Sequence, residues 1–341
     1  MFSRKITLIM AMLVLTIFAV GSVSAADDIV TDIDEPTDDI SVDEVVESTD
    51  STHDVTEDNT ADEINQAIVD ASADSTNHEV NFDYGTYYNA SYTVQDNVVL
   101  DGHGSTLIGD GTHDIFLVTG KSNFTIKNFI INVNNNSTGH GIYGHHVSNS
   151  LITNNTIFNC SDAINIYQEH INVTISDNTI YDFTGDGISL VNFNTYSDSD
   201  FANLANSTVT GNIITGGEYG MFFGGNFKGD ISNNVITGST YGMEFKGKRA
   251  ATNGKLYATF DNNNITGVTH GINMYNPNVV FLNMTNCNIS VTSPKLNWAI
   301  RTNADFGVTG YIGVYNSYFD GKISTSFKNA VGYNTANNIG F

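Results

Sequence analysis

The sequence predicts an all-β fold, a single-stranded right-handed parallel β-helix (solenoid) with a short N-terminal capping helix, on three observations. A strand-length segment recurs at irregular intervals with Asn in one column, and each copy is followed by a second recurring strand that opens on Gly or Ala. The chain also holds 44 Asn and 31 Gly against 3 Pro, a composition that favours tight turns and leaves ladders unbroken. Its 341 residues would make one or two ordinary domains, but stacked coils use that length as one solenoid.

Residues 1–25 read as an export signal. Arg4 and Lys5 precede an apolar run from Ile6 to Val20, and Val23, Ser24 and Ala25 supply the small residues a signal peptidase requires. The run is short for a membrane span of about 20 residues, and if kept uncleaved it would be the one membrane contact, with the body still outside. The expected location is therefore extracellular or at the cell surface. Residues 26–59 hold 14 Asp and Glu and no Lys or Arg, which reads as a disordered acidic linker. Beyond it, 23 acids still face 11 bases. That balance argues against nucleic acid, whose phosphates need clustered Lys and Arg.

Residues 60–79 are read as the capping helix and its lead-in. Thr60 and Glu63 have the spacing of a capping box, and Ile64, Ala67, Ile68 and Ala71 repeat at helical spacing. Such a short amphipathic helix suits the open end of a solenoid, whose first strand edges and apolar lumen need covering.

The β-helix itself is expected over 80–341. FTIKNFI (124–130), LITNNTI (151–157), VTISDNTI (173–180), STVTGNII (207–214), GDISNNVI (229–236), ATFDNNNI (258–265) and NMTNCNI (283–289) align without gaps. The alignment places Asn128, Asn155, Asn178, Asn212, Asn234 and Asn263 in one structural ladder, continued by Cys287 and Ser317. Second markers begin at 141, 163, 187, 220, 242, 271 and 299 as GIYG, AINI, GISL, GMFF, GMEF, GINM and AIRT. Coils stacked about 4.8 Å apart set like side chains above one another, so an inward Asn bonds both the local backbone and the next Asn.

The opening VNFDYGTYYNASYTVQDNVVLDGHGSTLIGDG (80–111), NFTIKNFIINV (123–133) and the NNTI coils resemble the pectin-lyase-like right-handed β-helix superfamily. With the export signal, the acidic leader and the dense Asn, the chain is most similar to adhesin-like surface proteins of methanogenic archaea. The resemblance implies a fold and a surface location. The superfamily hosts lyases, hydrolases, epimerases and non-catalytic binders, so activity must be argued from residues.

Glycan hydrolysis needs carboxylates at fixed separation. Polygalacturonase-like members show Asn-Thr-Asp, Asp-Asp, Gly-His-Gly and Arg-Ile-Lys on successive coils; here Gly139, His140 and Gly141 match the third string alone, and Ile300, Arg301 and Thr302 lie six coils away from it. A second candidate is the column before each coil-opening residue, which reads His140, Asp162, Asp186, Tyr219, Tyr241, His270 and Trp298. Asp162 and Asp186 then stand on neighbouring coils, about 5 Å apart, as a retaining carboxylate pair or a Ca²⁺ site would. Against both, no Lys or Arg occurs between Lys127 and Lys228 to abstract a proton. The plainer reading has these aspartates capping backbone amides.

The next outward columns give a binding face: Tyr143, Phe222, Glu244 and Arg301 in one, Tyr167 and Tyr275 two residues further on. Rings supply apolar area and the polar groups fix orientation, as sugar or protein recognition requires. His140, His145 and His146 cluster in sequence, but adjacent strand residues point to opposite faces, and no metal is expected there. Lys246, Lys248, Arg249 and Lys255 read as a solvated loop, and the insertion 192–206 as a possible wall to a groove. Cys160 and Cys287 lie about five coils apart, too far for a disulfide. Eleven Asn-X-Ser/Thr sequons, Asn89, Asn123, Asn172, Asn206 and Asn283 among them, permit glycosylation. The expected function is that of a monomeric, non-catalytic adhesin-like protein binding an extracellular glycan or a partner-cell surface protein, without cofactor unless Ca²⁺ joins the Asp pair. The alternative is a lyase or hydrolase acting on acidic glycans through Asp162 and Asp186.

Overall fold

The structure, a computed structural model, describes residues 53–247, 254–303, 306–332 and 334–341. The segment read as an export signal, the expected linker up to residue 52, and Lys248 and Arg249 lie outside the described residues. Each coil lays one strand on each of three faces. Thr179–Phe183, Asp186–Asn192 and Ser207–Thr210 form one such set. They pair in parallel with Ile213–Thr215, Tyr219–Gly225 and Phe227–Ser232 of the next coil. The same step repeats along the chain, so the described strands join into one continuous parallel sheet wound as a β-helix.

Apolar columns fill the lumen because a strand turns alternate side chains inward. Ile142, Ile164, Ile188, Met221, Met243, Ile272 and Ile300 stand in register and are fully buried. Near the N-terminal end the filling is aromatic, with Phe129 edge-on to Phe82 at 4.9 Å and tilted against Phe116 at 5.3 Å. The coil-opening residue has little room. A Cβ on Gly220 would meet Ile236 Cγ2 at 2.3 Å and the Gly242 carbonyl at 2.6 Å.

At the turn from the third face to the first, Asn155, Asn178, Asn212, Asn234 and Asn263 form a buried ladder. The Asn178 carboxamide oxygen accepts from the backbone N–H of Asn155 at 3.0 Å and from its Nδ2 at 3.1 Å, while Asn178 Nδ2 donates to the Ile152 carbonyl at 3.0 Å. The pattern recurs from Asn178 to Asn212, Asn212 to Asn234 and Asn234 to Asn263. Cys287 N–H then donates to Ser317 Oγ at 3.1 Å, and Ser317 N–H to Asn338 Oδ1 at 2.8 Å, so Asn338 is a rung the sequence alignment missed.

Asn128 is a correction. Lys127 pairs with Thr153, which sets Asn128 opposite Asn154 and gives the inward place to Phe129, whose N–H donates to Asn155 Oδ1 at 3.1 Å. The gap-free alignment slipped one residue there because the aromatic lumen of the early coils wants a ring where later coils use an amide. Asn128 belongs instead to an outer column with positive φ, 64° at Asn128, 55° at Asn154, 57° at Asn233 and 53° at Asn262, the left-handed region that Asn tolerates better than most residues. These outer residues also bond across coils, Asn154 Nδ2 to Asn128 Oδ1 at 2.6 Å and Asn262 Nδ2 to Asn233 Oδ1 at 2.9 Å.

Both ends of the lumen are covered. Helix α1 (Ala61–Ala73) carries both bonds of the capping box and buries Ile64, Ile68 and Ala71. Residues 53–59, expected as the end of the acidic linker, are instead part of the first turn: Val55 bridges Phe82 in parallel, is buried, and its carbonyl accepts from Tyr87 Oη at 2.9 Å. A short helix α2 (Asp198–Asn203) lies in the insertion after the second-face strand. At the other end α3 (Thr325–Val331) buries Phe327 and Val331, and Phe341 packs 5.5 Å from Phe319 and 6.3 Å from Phe327.

The two Asn columns should respond differently to substitution. Asn155→Ala leaves the Phe129 N–H without a partner in a closed lumen and takes the amide donor away from the Ile126 carbonyl, and is expected to cost about 3 kcal/mol. Asn128→Gly keeps the left-handed turn at half-buried cost and should lose less than about 1 kcal/mol. Urea unfolding of both variants checks the register; equal losses would contradict it.

Candidate functional site

The second face carries the chemistry. Its outer residues stand in one register: Tyr143, Asn165, Ser189, Phe222, Glu244, Asn273 and Arg301. The column at the turn into this face is equally continuous, with His140 paired to Asp162, Asp186 to Tyr219, then Tyr241, His270 and Trp298. Ring stacking follows from the coil pitch. Tyr219 lies 4.9 Å from Tyr241 at 16°, and Tyr241 lies 4.8 Å from His270 at 11°.

At one end of this column sits a polar line. His140 Nδ1 is 2.7 Å from Asp114 Oδ1 and its Nε2 is 3.3 Å from Asp162 Oδ2. Burial works against charge on the imidazole, but the two carboxylates outweigh it and raise His140 to about 9. Partial burial works to raise Asp162, yet His140, the Asp186 amide and Asn165 hold it below its usual range. Its Oδ1 accepts from Asp186 N–H at 2.8 Å and its Oδ2 from Asn165 Nδ2 at 2.8 Å. This carboxylate thus caps a backbone amide and has no oxygen left unbonded. A Cβ on Gly185 would come 2.2 Å from Asp162 Oδ1, so the bond needs glycine at that position. Asp186 differs: burial, and then the charge of Asp162, push it up to about 7. The Asn165 side-chain oxygen beside the line is buried without a partner.

Two coils further on the face becomes a groove. Tyr219, Tyr241, Glu244, Lys246, Asn273, Tyr275 and Arg301 enclose a cavity of about 390 Å³. Glu244, expected as an exposed group, is only 5% exposed and forms the floor, accepting from Asn273 Nδ2 at 3.0 Å. Burial raises its pKa above the ordinary value. Arg301 Nη1 lies 3.2 Å from His270 Nε2, and burial together with that guanidinium lowers His270 to about 4.

The groove unites Glu244, Tyr275 and Arg301 of the expected binding face with Asn273 and Lys246 of the same outward columns, and adds Tyr219 and Tyr241 from the turn column. Tyr143 and Tyr167 stand further along the same face, linked through His145 at ring distances of 5.3 and 5.5 Å, and Phe222 packs edge-on to Tyr219 at 5.5 Å. His146 is turned away to Glu169 at 3.5 Å, and Lys255 to another face, on Asp198. Among the described residues no three His, Cys, Asp or Glu side chains gather to hold a metal ion. Both cysteines are buried and free.

A sequence model described as right handed beta helix region matches residues 65–255. The chain belongs to this family. No curated protein matches it at a significant level. Among solved β-helices it is similar to the A-module of a mannuronan C-5 epimerase from Azotobacter vinelandii, at TM-score 0.57 and 16% identity over 82% of this chain and 80% of that one. It is also similar to the catalytic domain of a GH87 α-1,3-glucanase solved with tetrasaccharides (0.55, 13%, covering 90% and 70%). A third is a hyperthermoactive exopolygalacturonase from Thermotoga maritima (0.52, 10%, covering 78% and 79%). At these identities the likeness is one of fold.

The titrating groups of this family member pull its stability in opposite directions with pH. Asp186, raised from 3.8 to about 7, adds stability that is complete below 3.8 and lost as the pH rises through 7. His140, raised from 6.5 to about 9, adds stability complete below 6.5 and lost as the pH rises through 9. His270, and His170 buried in the lumen, are lowered to about 4, so their contribution is present above 6.5 and lost as the pH falls through 4. Asp186→Asn mimics the protonated acid. Relative to wild type it should gain stability between pH 4 and 8, by roughly 2–4 kcal/mol; parallel urea-midpoint curves would show that Asp186 titrates normally.

Proposed function

We propose that this protein is an exported surface β-helix that binds an extended glycan along its second face, as an adhesin-like binder rather than an enzyme. The observation that carries the reading is the groove: stacked Tyr219 and Tyr241 form one wall, backed by His270 behind Tyr241, and Glu244, Asn273, Lys246 and Arg301 supply acceptors and donors inside about 390 Å³. Aromatic rings give a sugar apolar area while convergent polar groups orient its hydroxyls. Export rests on the N-terminal segment of Arg4, Lys5 and the apolar run behind them. The three solved relatives all act by name on polysaccharides, which fits a saccharide ligand.

A second reading has one observation in its favour. A carboxyl raised to about 7 next to an ionised one is the split that acid–base catalysis uses. The geometry of Asp162 weighs against it, because both oxygens of the would-be partner are already bonded within the protein.

Oligogalacturonides, mannuronan oligomers and α-1,3-gluco-oligosaccharides, incubated with the full-length protein and followed by calorimetry and product mass spectrometry, separate the readings. Binding without new chain ends is expected, weakened at least tenfold by Tyr241→Ala and by Arg301→Ala, which corresponds to about 1.4 kcal/mol. New chain ends that vanish in Asp186→Asn would overturn the adhesin reading in favour of a glycan-cleaving enzyme. No binding by any of the three would remove the glycan.

A further inference from the structure

The third face holds a second cavity, larger than the groove and separate from it. Asp198, Phe201 and Ala202 of the insertion form one side, and Lys228, Lys255, Tyr257, Asn278, Val280 and Thr309 of the third-face strands form the floor, around about 560 Å³. This volume lies in the range of about 300–1,000 Å³ that small-molecule sites occupy.

Through Tyr257 the floor joins an outward column that is aromatic on three coils. Lys228 pairs with Tyr257, Tyr257 with Phe281 and Phe281 with Tyr311 on successive coils. The rings stack at 4.7 and 5.7 Å, both at 24°, and Tyr257 keeps 36% of its surface exposed. The wall is fixed rather than loose. Lys228 Nζ donates to the carbonyls of Ala202 and Leu204 at 2.6 Å each, at the C-terminal end of α2. Lys255 Nζ reaches Asp198 Oδ1 at 2.8 Å and the Tyr196 carbonyl at 3.0 Å, and lies 5.5 Å from the centre of the buried Phe201 ring.

An ammonium has three N–H groups, so each lysine keeps one beyond these bonds. Two lysines against one aspartate also make this cavity locally positive in a chain of net charge −24. One face of the Tyr257 ring lies on Phe281 and the other under the Lys228 ammonium, 5.9 Å from the ring centre, so its exposed outer edge, the polar edge at Asn278 and Thr309 and two spare ammonium donors define the occupant: a saccharide unit bearing an acidic group, set against the Tyr257 edge with its anion between Lys228 and Lys255.

We propose that this cavity is a second, independent saccharide site, which makes the protein bivalent, with one glycan contact on each of two faces. Two contacts that engage the same polymer raise apparent affinity well beyond either alone. The inference does not rest on the groove of the second face, since no lining residue is shared.

Trigalacturonate, titrated calorimetrically into the full-length protein at low salt, tests it with the groove disabled by Tyr241→Ala and Arg301→Ala together. This background is expected to bind one equivalent, at least tenfold more weakly once Tyr257→Ala is added, and more weakly as salt rises. Tyr257→Ala also removes a stacked ring, so Thr309→Trp, which fills the cavity from its exposed rim, serves as a variant that leaves the stack intact; it should block binding while the melting temperature holds. If the background binds nothing while wild type binds one equivalent, the third-face column is a structural stack and the inference falls, with the groove reading untouched. Unchanged affinity in Thr309→Trp overturns it equally.

Discussion

Register between coils is the constraint on which everything else depends. A parallel β-helix has no side-chain contact that is local in sequence to tell one coil where to sit on the last, and a slip of one residue would turn its lumen outward. The inner Asn ladder supplies the missing instruction. From Asn178 to Asn263 each carboxamide accepts two bonds from the coil before it and donates to a buried strand carbonyl, so an offset coil would strand several polar groups at once in a closed interior. The outer column of left-handed residues beside it makes the turn possible, and its amides repeat the coil-to-coil bond at the surface.

Once register is fixed, the outer faces inherit it. Rings placed at one position per coil are brought to stacking distance by the backbone alone, so Tyr219, Tyr241 and His270 on one face and Tyr257, Phe281 and Tyr311 on another form flat ladders without any dedicated packing. What distinguishes a groove from a decorated surface is then what stands next to the ladder. On the second face it is a floor of Glu244 and Asn273 with cations at the rim; on the third it is the insertion around α2, held down by Lys228 and Lys255.

The same stacking sets the electrostatics. Putting His140 one coil from Asp114 on one side and Asp162 on the other makes an imidazolium between two carboxylates. The next coil places Asp186 beside that already ionised Asp162 and in partial burial, where it retains its proton near neutrality. Alternation of charge along a column is thus a consequence of coil order, and it ends where the column changes from acids to rings at Tyr219.

The sequence by itself determined the coils, the inward columns and which residues share a face, because a solenoid maps spacing along the chain onto position along one axis. It placed Asp162 before Asp186 and Glu244 before Arg301 for that reason. It misplaced Asn128, since one aligned letter cannot tell an inward amide from an outward one when Phe129 takes the lumen. It also gave no sign of Asp114 as the partner of His140, because Asp114 lies outside the aligned segments. Only the tertiary structure decided that Glu244 lies at the bottom of a groove, that Lys246 and Lys255 serve different faces, and that the insertion walls the third face rather than the second. Those outcomes depend on where loops of unequal length fold back and on which neighbours crowd a side chain, and neither is written in the period of the repeat.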